Sequence, residues 1–233
     1  STIYSSLAKV KLVGESAGYN FGRSVSANGD INNDGRLDVF SVDGVSQYYS
    51  YLDQKSASRQ WSVNSLQLNF GDNFTEMSQM AGIARNDFSW TPLMADFDND
   101  GYQDIFVSSG CVRDFEDPDF INLYENKIKK ADEEMTFKEI CEHAPIQEGQ
   151  TNFYRNKADF SFENKSDSWG SYSEGQINGA AYADLDNDGD LDVVCNVLNG
   201  KSFVAENQLN GANNHLSLHL EGASSNKDAI GAK

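Results

Sequence analysis

Asp184-Leu185-Asp186-Asn187-Asp188-Gly189-Asp190-Leu191-Asp192 is the stretch on which the fold turns, because the chain carries it three times. The other copies are Asp30-Ile31-Asn32-Asn33-Asp34-Gly35-Arg36-Leu37-Asp38 and Asp96-Phe97-Asp98-Asn99-Asp100-Gly101-Tyr102-Gln103-Asp104. Each fits D-x-[DN]-x-D-G-x-x-D. Each also runs into a short β-branched or aromatic segment: Val39-Phe40-Ser41-Val42, Ile105-Phe106-Val107 and Val193-Val194-Cys195-Asn196-Val197. Such runs predict strands. Further along, Asn64–Asn69 with Phe74–Glu76 matches Thr151–Asn156 with Phe162–Asn164, and both read as hairpins closed by a glycine, Gly82 or Gly170. The repeating unit is therefore loop, strand, hairpin, glycine. Loop starts lie 66 and then 88 residues apart, which places an insertion in the second unit, within residues 111–150. A short helix is expected there between Lys127 and Glu142.

Units of this length in tandem predict an all-β protein built of β-propeller blades, each a four-stranded antiparallel sheet. The blades fall near residues 18–83, 84–171 and 172–211, within a repeat region of 1–211. Three units do not close a ring, since propellers have about four to eight blades. The expectation is part of a larger propeller.

Composition agrees with a cation-binding chain. The 233 residues carry 36 acids against 18 bases, a net charge of −18, and 12 of those acids sit in the three loops. Nucleic acid is excluded as a partner, because phosphate binding needs clustered Lys and Arg. No apolar run approaches the roughly 20 residues of a membrane span. Three cysteines are too few for a disulfide scaffold; a Cys111–Cys141 bridge stays open, and Cys195 reads as a small buried hydrophobe.

The chemistry of the loops points to Ca²⁺, at up to three sites. A hard cation takes about six to eight oxygens, and D-x-D-x-D-G supplies them from one turn. The expected ligands are the side chains of Asp30, Asn32, Asp34 and Asp38, of Asp96, Asp98, Asp100 and Asp104, and of Asp184, Asp186, Asp188 and Asp192. The main-chain carbonyls of Arg36, Tyr102 and Asp190 complete the sets. Gly35, Gly101 and Gly189 allow the turn. An EF-hand needs a bidentate Glu at position 12 and flanking helices; position 12 here is Ser41, Val107 or Cys195, and strands follow. Asn32 makes the first loop the weakest ligand set, and the five acids of Asp184–Asp192 make the third the most charged.

These loops, with Phe21-Gly22 ahead of the first, resemble the FG-GAP/VCBS repeats of integrin-α-type propellers and bacterial surface proteins. Phe88-Ser89-Trp90 through Asp104, Thr151 to Trp169 and Gly179 to Asp184 resemble VCBS-repeat proteins that carry an ASPIC/UnbV domain, common in Bacteroidota. Asn213-Asn214-His215-Leu216 through Gly222, with Ile230-Gly231-Ala232-Lys233, resembles the start of that domain, over 212–233. The resemblance implies a secreted or surface-exposed calcium-binding module, including outer-membrane-associated forms. Its ligand would be a surface protein or a glycan, and no catalytic residues come with it. Two alternatives stand beside this reading: a polysaccharide lyase or hydrolase on the same scaffold, and a structural spacer in a surface assembly.

Several motifs have simpler explanations. Gly14-Glu15-Ser16-Ala17-Gly18 fits a nucleophile elbow, but the elbow must open a helix, whereas a loop and a strand follow. His215 and His219 lie about 13 Å apart on a strand and cannot share an ion. Asp114, Glu116, Asp117 and Asp119 form an acidic loop that could hold a fourth cation. Asn73-Phe74-Thr75 and Asn164-Lys165-Ser166 are glycosylation sequons, relevant only to a eukaryotic secretory pathway.

Overall fold

The computed structural model describes residues 24–42, 63–115 except 87, 117–124, 126, 136–147, 149–209 except 171, 173 and 174, then 213 and 221–222, and the backbone of 2–3 and 12–13. The Gly14–Gly18 motif, Phe21-Gly22, His215, His219 and nearly all of 212–233 lie outside the described residues.

Among the described residues, thirteen strands form antiparallel sheets. β1 (Thr2–Ile3) pairs with β2 (Leu12–Val13). The first repeat gives β3 (Ser24–Gly29), β4 (Asp38–Val42), β5 (Ser65–Asn69) and β6 (Phe74–Glu76), in that spatial order. The second gives β7 (Ser89–Ala95), β8 (Asp104–Ser109), β9 (Thr151–Asn156) and β10 (Phe162–Asn164). The third gives β11 (Ile177–Ala183), β12 (Asp192–Val197) and β13 (Phe203–Ala205), three strands among the described residues. Each sheet is an up-and-down meander of consecutive strands, the arrangement of a propeller blade. The expected hairpins are present as β5–β6 and β9–β10.

Two elements refine the unit read from the sequence. A strand precedes each loop, so every Asp-rich loop is the turn between the first and second strands of its sheet. The second of these, β7, contains Pro92, which its place at the sheet's edge and a register shift between Ser89 and Pro92 accommodate. A one-turn helix, Ser78–Ala81 or Ser166–Trp169, also sits between each hairpin and its glycine. Gly82 then takes a φ of 81°, a left-handed turn that an L side chain resists.

The central sheet is buried on both faces, which explains why β8 reads as an unbroken apolar run rather than an alternating one. Ile105, Val107, Met94 and Tyr154 pack with Phe40, Val42, Leu66 and Leu68 of the first sheet. Phe106, Phe153, Ala95 and Phe97 pack with Val193, Cys195, Val197 and Ile177 of the third. Phe153 is the centre of this second core, with Phe106 at 5.0 Å and Phe97 at 5.7 Å, centroid to centroid. Edge-on and tilted contacts of this kind add about 0.5–1.5 kcal/mol beyond burial.

The repeat also predicts what the third sheet should bury. Phe40 pairs with Leu66 and Phe106 with Phe153, and all four are covered by the next sheet. The equivalent pair, Val194 and Val204, is 36% and 54% exposed. Leu185 is 50% exposed where Ile31 and Phe97 are 3% and 5%.

The segment between β8 and β9 holds two short helices, Pro118–Leu123 and Phe137–His143. The latter begins with a capping box in which Thr136 and Glu139 bond reciprocally, and it overlaps the end of the span expected to be helical. Residues 127–135 lie outside the described residues. Asp117 caps the former helix, accepting from the Phe120 amide at 2.8 Å. The Cys111–Cys141 pairing left open by the sequence does not form. None of the three cysteines is in a disulfide, and only Cys195 is fully buried.

Candidate cation loops

Each loop is shaped by its own first aspartate. Asp30 accepts from the amides of Asp34 at 3.1 Å and Gly35 at 2.7 Å. Asp96 accepts from Asp100 at 3.0 Å and Gly101 at 2.9 Å, and Asp184 accepts from Gly189 at 3.1 Å. The fifth residue, Asp34, Asp100 or Asp188, then accepts from the amide two residues on, at 2.9, 2.9 and 3.0 Å. These bonds curl each loop back on its first aspartate, and they bring together positions 1, 3 and 9 in the second loop and positions 1, 3 and 5 in the third. Gly101, at a φ of 90°, makes the turn.

Oxygens converge as a result. One carboxylate oxygen from each of Asp96, Asp98 and Asp104 lies within 4.8 Å of the others, and the same holds for Asp184, Asp186 and Asp188. In the first loop the Asn32 side-chain oxygen is buried with no hydrogen-bond partner. An orphaned acceptor among carboxylates fits a hard cation, which would supply the missing partner. The residues present therefore suit calcium by donor type. The ninth residues do something further. Both oxygens of Asp38 accept backbone amides, from Ile31 at 2.7 Å and Asn69 at 2.8 Å. Asp104 repeats this with Phe97 at 3.0 Å and Asn156 at 2.8 Å, and Asp192 with Leu185 at 3.0 Å and Asn207 at 2.8 Å. Position 9 thus ties the loop to the third strand, or to the chain just beyond it, in every repeat.

Electrostatics match this crowding. Burial pushes Asp104 up to about 8 and Asp38 up to about 6, against the amides that hold them down. Burial and then the neighbouring carboxylates raise Asp96 and Asp186 as well. Among the described residues, every carboxyl raised above its ordinary range belongs to a loop.

Three features were not read from the sequence. Arg155 of β9 reaches the second loop, its Nε on Asp98 and its Nη2 2.6 Å from Asp100. Its counterparts one residue before the corresponding asparagine are Leu68 and Glu206, so this position carries an apolar group in the first repeat, a cation in the second and an anion in the third. Asparagine at position 4 is the second feature. Asn33 and Asn99 both have a φ of 55°. Asn33 donates to the Gly101 carbonyl at 2.9 Å, and Asn99 to the Gly189 carbonyl at 3.1 Å. Third, Asn156 donates to Gln103 O at 3.0 Å and Ile31 O at 2.9 Å, and Asn207 to Leu191 O at 3.4 Å and Phe97 O at 2.7 Å. The signal for position 4 was visible, since Asn33, Asn99 and Asn187 recur in every copy.

A profile of the FG-GAP-like repeat matches residues 30–107 and 144–195, more than half of the chain. The chain belongs to the FG-GAP-like repeat family. The first matched stretch holds two of the Asp-rich loops and the second holds the third, and the unmatched residues 108–143 hold the two helices between β8 and β9. A search of curated proteins finds no match.

Beside the second loop of this FG-GAP-like chain lies a cavity of about 410 Å³. Phe97, Phe153, Trp169 and Leu191 give it an aromatic and apolar lining, and Asp98 and Glu206 give it an acidic one. No described helix is long and apolar enough to cross a membrane.

Proposed function

We propose that this chain is a calcium-stabilised propeller segment acting as a binding or adhesion module outside the cell, secreted or held at the surface, whose ligand is a glycan or a protein. The observation that carries the reading is the convergence of carboxylate oxygens in the second and third loops, joined in the first by the orphaned oxygen of Asn32. Family membership supports it. So does the location of the raised carboxyls, which among the described residues all fall within the loops.

Calcium in this reading neutralises three to five acids per loop and holds the first turn of each sheet in place. Asp30, Asn32 and Asp34, then Asp96, Asp98 and Asp100, then Asp184, Asp186 and Asp188 hold the ions, with the carbonyls of Arg36, Tyr102 and Asp190. Asp38, Asp104 and Asp192 add an oxygen while clamping the loop to its sheet. The exposed Val194, Val204 and Leu185 are the surface on which a further blade packs, as the first two sheets pack on their successors.

The test is a thermal melt in EDTA and again in millimolar calcium. Binding to the native state alone stabilises by RT ln(1 + [L]/Kd), about 2.7 kcal/mol per site at a hundredfold excess over Kd. The melting temperature is expected to fall by many degrees in EDTA and to recover on adding calcium. Identical melts would refute calcium stabilisation.

A further inference from the structure

We propose that the three loops bind calcium as one coupled array, with positive cooperativity carried by the position-4 asparagines; this rests on the calcium reading above. Asn99 stands between Asp98 and Asp100, two side chains of the second loop's ligand set, and its side chain donates to Gly189 O at 3.1 Å and to Asp190 Oδ1 at 3.3 Å in the third loop. Asn33 stands in the same way between Asn32 and Asp34 and donates to Gly101 O at 2.9 Å. The acceptor is the turn glycine in both cases. Its own amide donates to the first aspartate of its loop, at 2.9 Å for Gly101 and 3.1 Å for Gly189.

A return contact runs the other way across each junction. Asn156 donates its backbone amide to Asp104, at position 9 of the second loop, and its side chain to Ile31 O in the first loop at 2.9 Å. Asn207 links Asp192 of the third loop to Phe97 O of the second at 2.7 Å by the same pair of bonds. The same four-part linkage therefore occurs at both junctions, which marks it as a property of the repeat.

The physical consequence is shared ordering. An ion drawn in by Asp98 and Asp100 fixes the backbone on both sides of Asn99, which in turn holds the Gly189–Asp190 peptide in the turn the third loop needs. The second ion then meets a loop already ordered, so its binding has less conformational freedom to remove. The effect is reciprocal by linkage.

Calcium titration calorimetry of the full chain and of Asn99→Gly tests this. Glycine keeps the positive φ at position 99 and removes only the carboxamide. The intact chain is expected to bind with a Hill coefficient above 1. Asn99→Gly is expected to bind the same number of ions, with the affinity gain between the second and third loops, about fivefold or more, abolished. Asn33→Gly should remove the gain between the first and second loops alone. An unchanged binding curve in both variants, at unchanged stoichiometry, would overturn the coupling and leave the calcium reading intact. No heat from the intact chain would overturn both. Melting curves without calcium confirm that each variant is folded.

Discussion

Replacing Arg155 with leucine, the residue at the equivalent place in the first repeat, separates what the protein supplies to its second loop from what an ion would supply. The guanidinium meets both Asp98 and Asp100, whose side chains are 12% and 19% exposed, while its own is 35% exposed. Unit charges about 4 Å apart attract by about 4 kcal/mol at an effective dielectric of 20. Screening at a site one third open to solvent, and the ordering of a long side chain, reduce the net contribution to about 1–2 kcal/mol. Removing it also leaves Asp96, Asp98, Asp100 and Asp104 to repel one another. In EDTA the Arg155→Leu melting temperature should fall by about 4 °C, given about 2–4 °C per kcal/mol for a chain of this size. In saturating calcium the ion takes over the neutralisation, so the deficit should shrink towards zero. Calcium affinity of that loop should rise about tenfold, since 1–2 kcal/mol of competing interaction is gone. Circular-dichroism melts of both proteins, with and without calcium, read the difference. Equal deficits in both buffers would show that Arg155 does not act through the loop.

Asn156→Ala should cost about 2–3 kcal/mol in urea unfolding at unchanged m, because it orphans the carbonyls of Ile31 and Gln103 beneath a residue only 2% exposed. A loss below about 0.5 kcal/mol would refute that role. In metal-free protein, Asp38 and Asp104 are raised to about 6 and about 8 from an ordinary value of 3.8, so the folded chain holds more protons than the unfolded chain between those limits. Metal-free stability should therefore fall as pH rises from about 4 to 8. Calcium favours the ionised carboxylates, so apparent calcium affinity should climb over the pH 6 to 8 window, with protons released on binding. Affinities that are level across pH 6, 7 and 8 in titration calorimetry would contradict this.

The loops and the strands leaving them were legible in the sequence, because D-x-[DN]-x-D-G leaves a backbone few other conformations and β-branched runs follow directly. The paired hairpins were legible for the same reason: they recur at matching offsets, and β5–β6 and β9–β10 form where the repeat places them. The strands before each loop were less visible. β11 reads Ile-Asn-Gly-Ala-Ala-Tyr-Ala and β7 contains a proline, so neither has the composition of a strand, and both are held by pairing with β12 and β8. Local propensity is weak there, and tertiary pairing overrides it.

The three-copy Asp-rich loop alone determined the local geometry of the cation sites, since their donors lie within nine residues of one another. What only the tertiary structure decided is everything that crosses between repeats. Arg155 meets Asp98 from 57 residues away, and Asn207 meets Phe97 from 110. One oxygen of each position-9 aspartate accepts an amide that only the folded sheet brings near, from Asn69, Asn156 or Asn207. A sequence pattern encodes contacts along the backbone, whereas these depend on how one twisted sheet lies against the next, and that is set by the packing of Phe106 and Phe153 rather than by any motif.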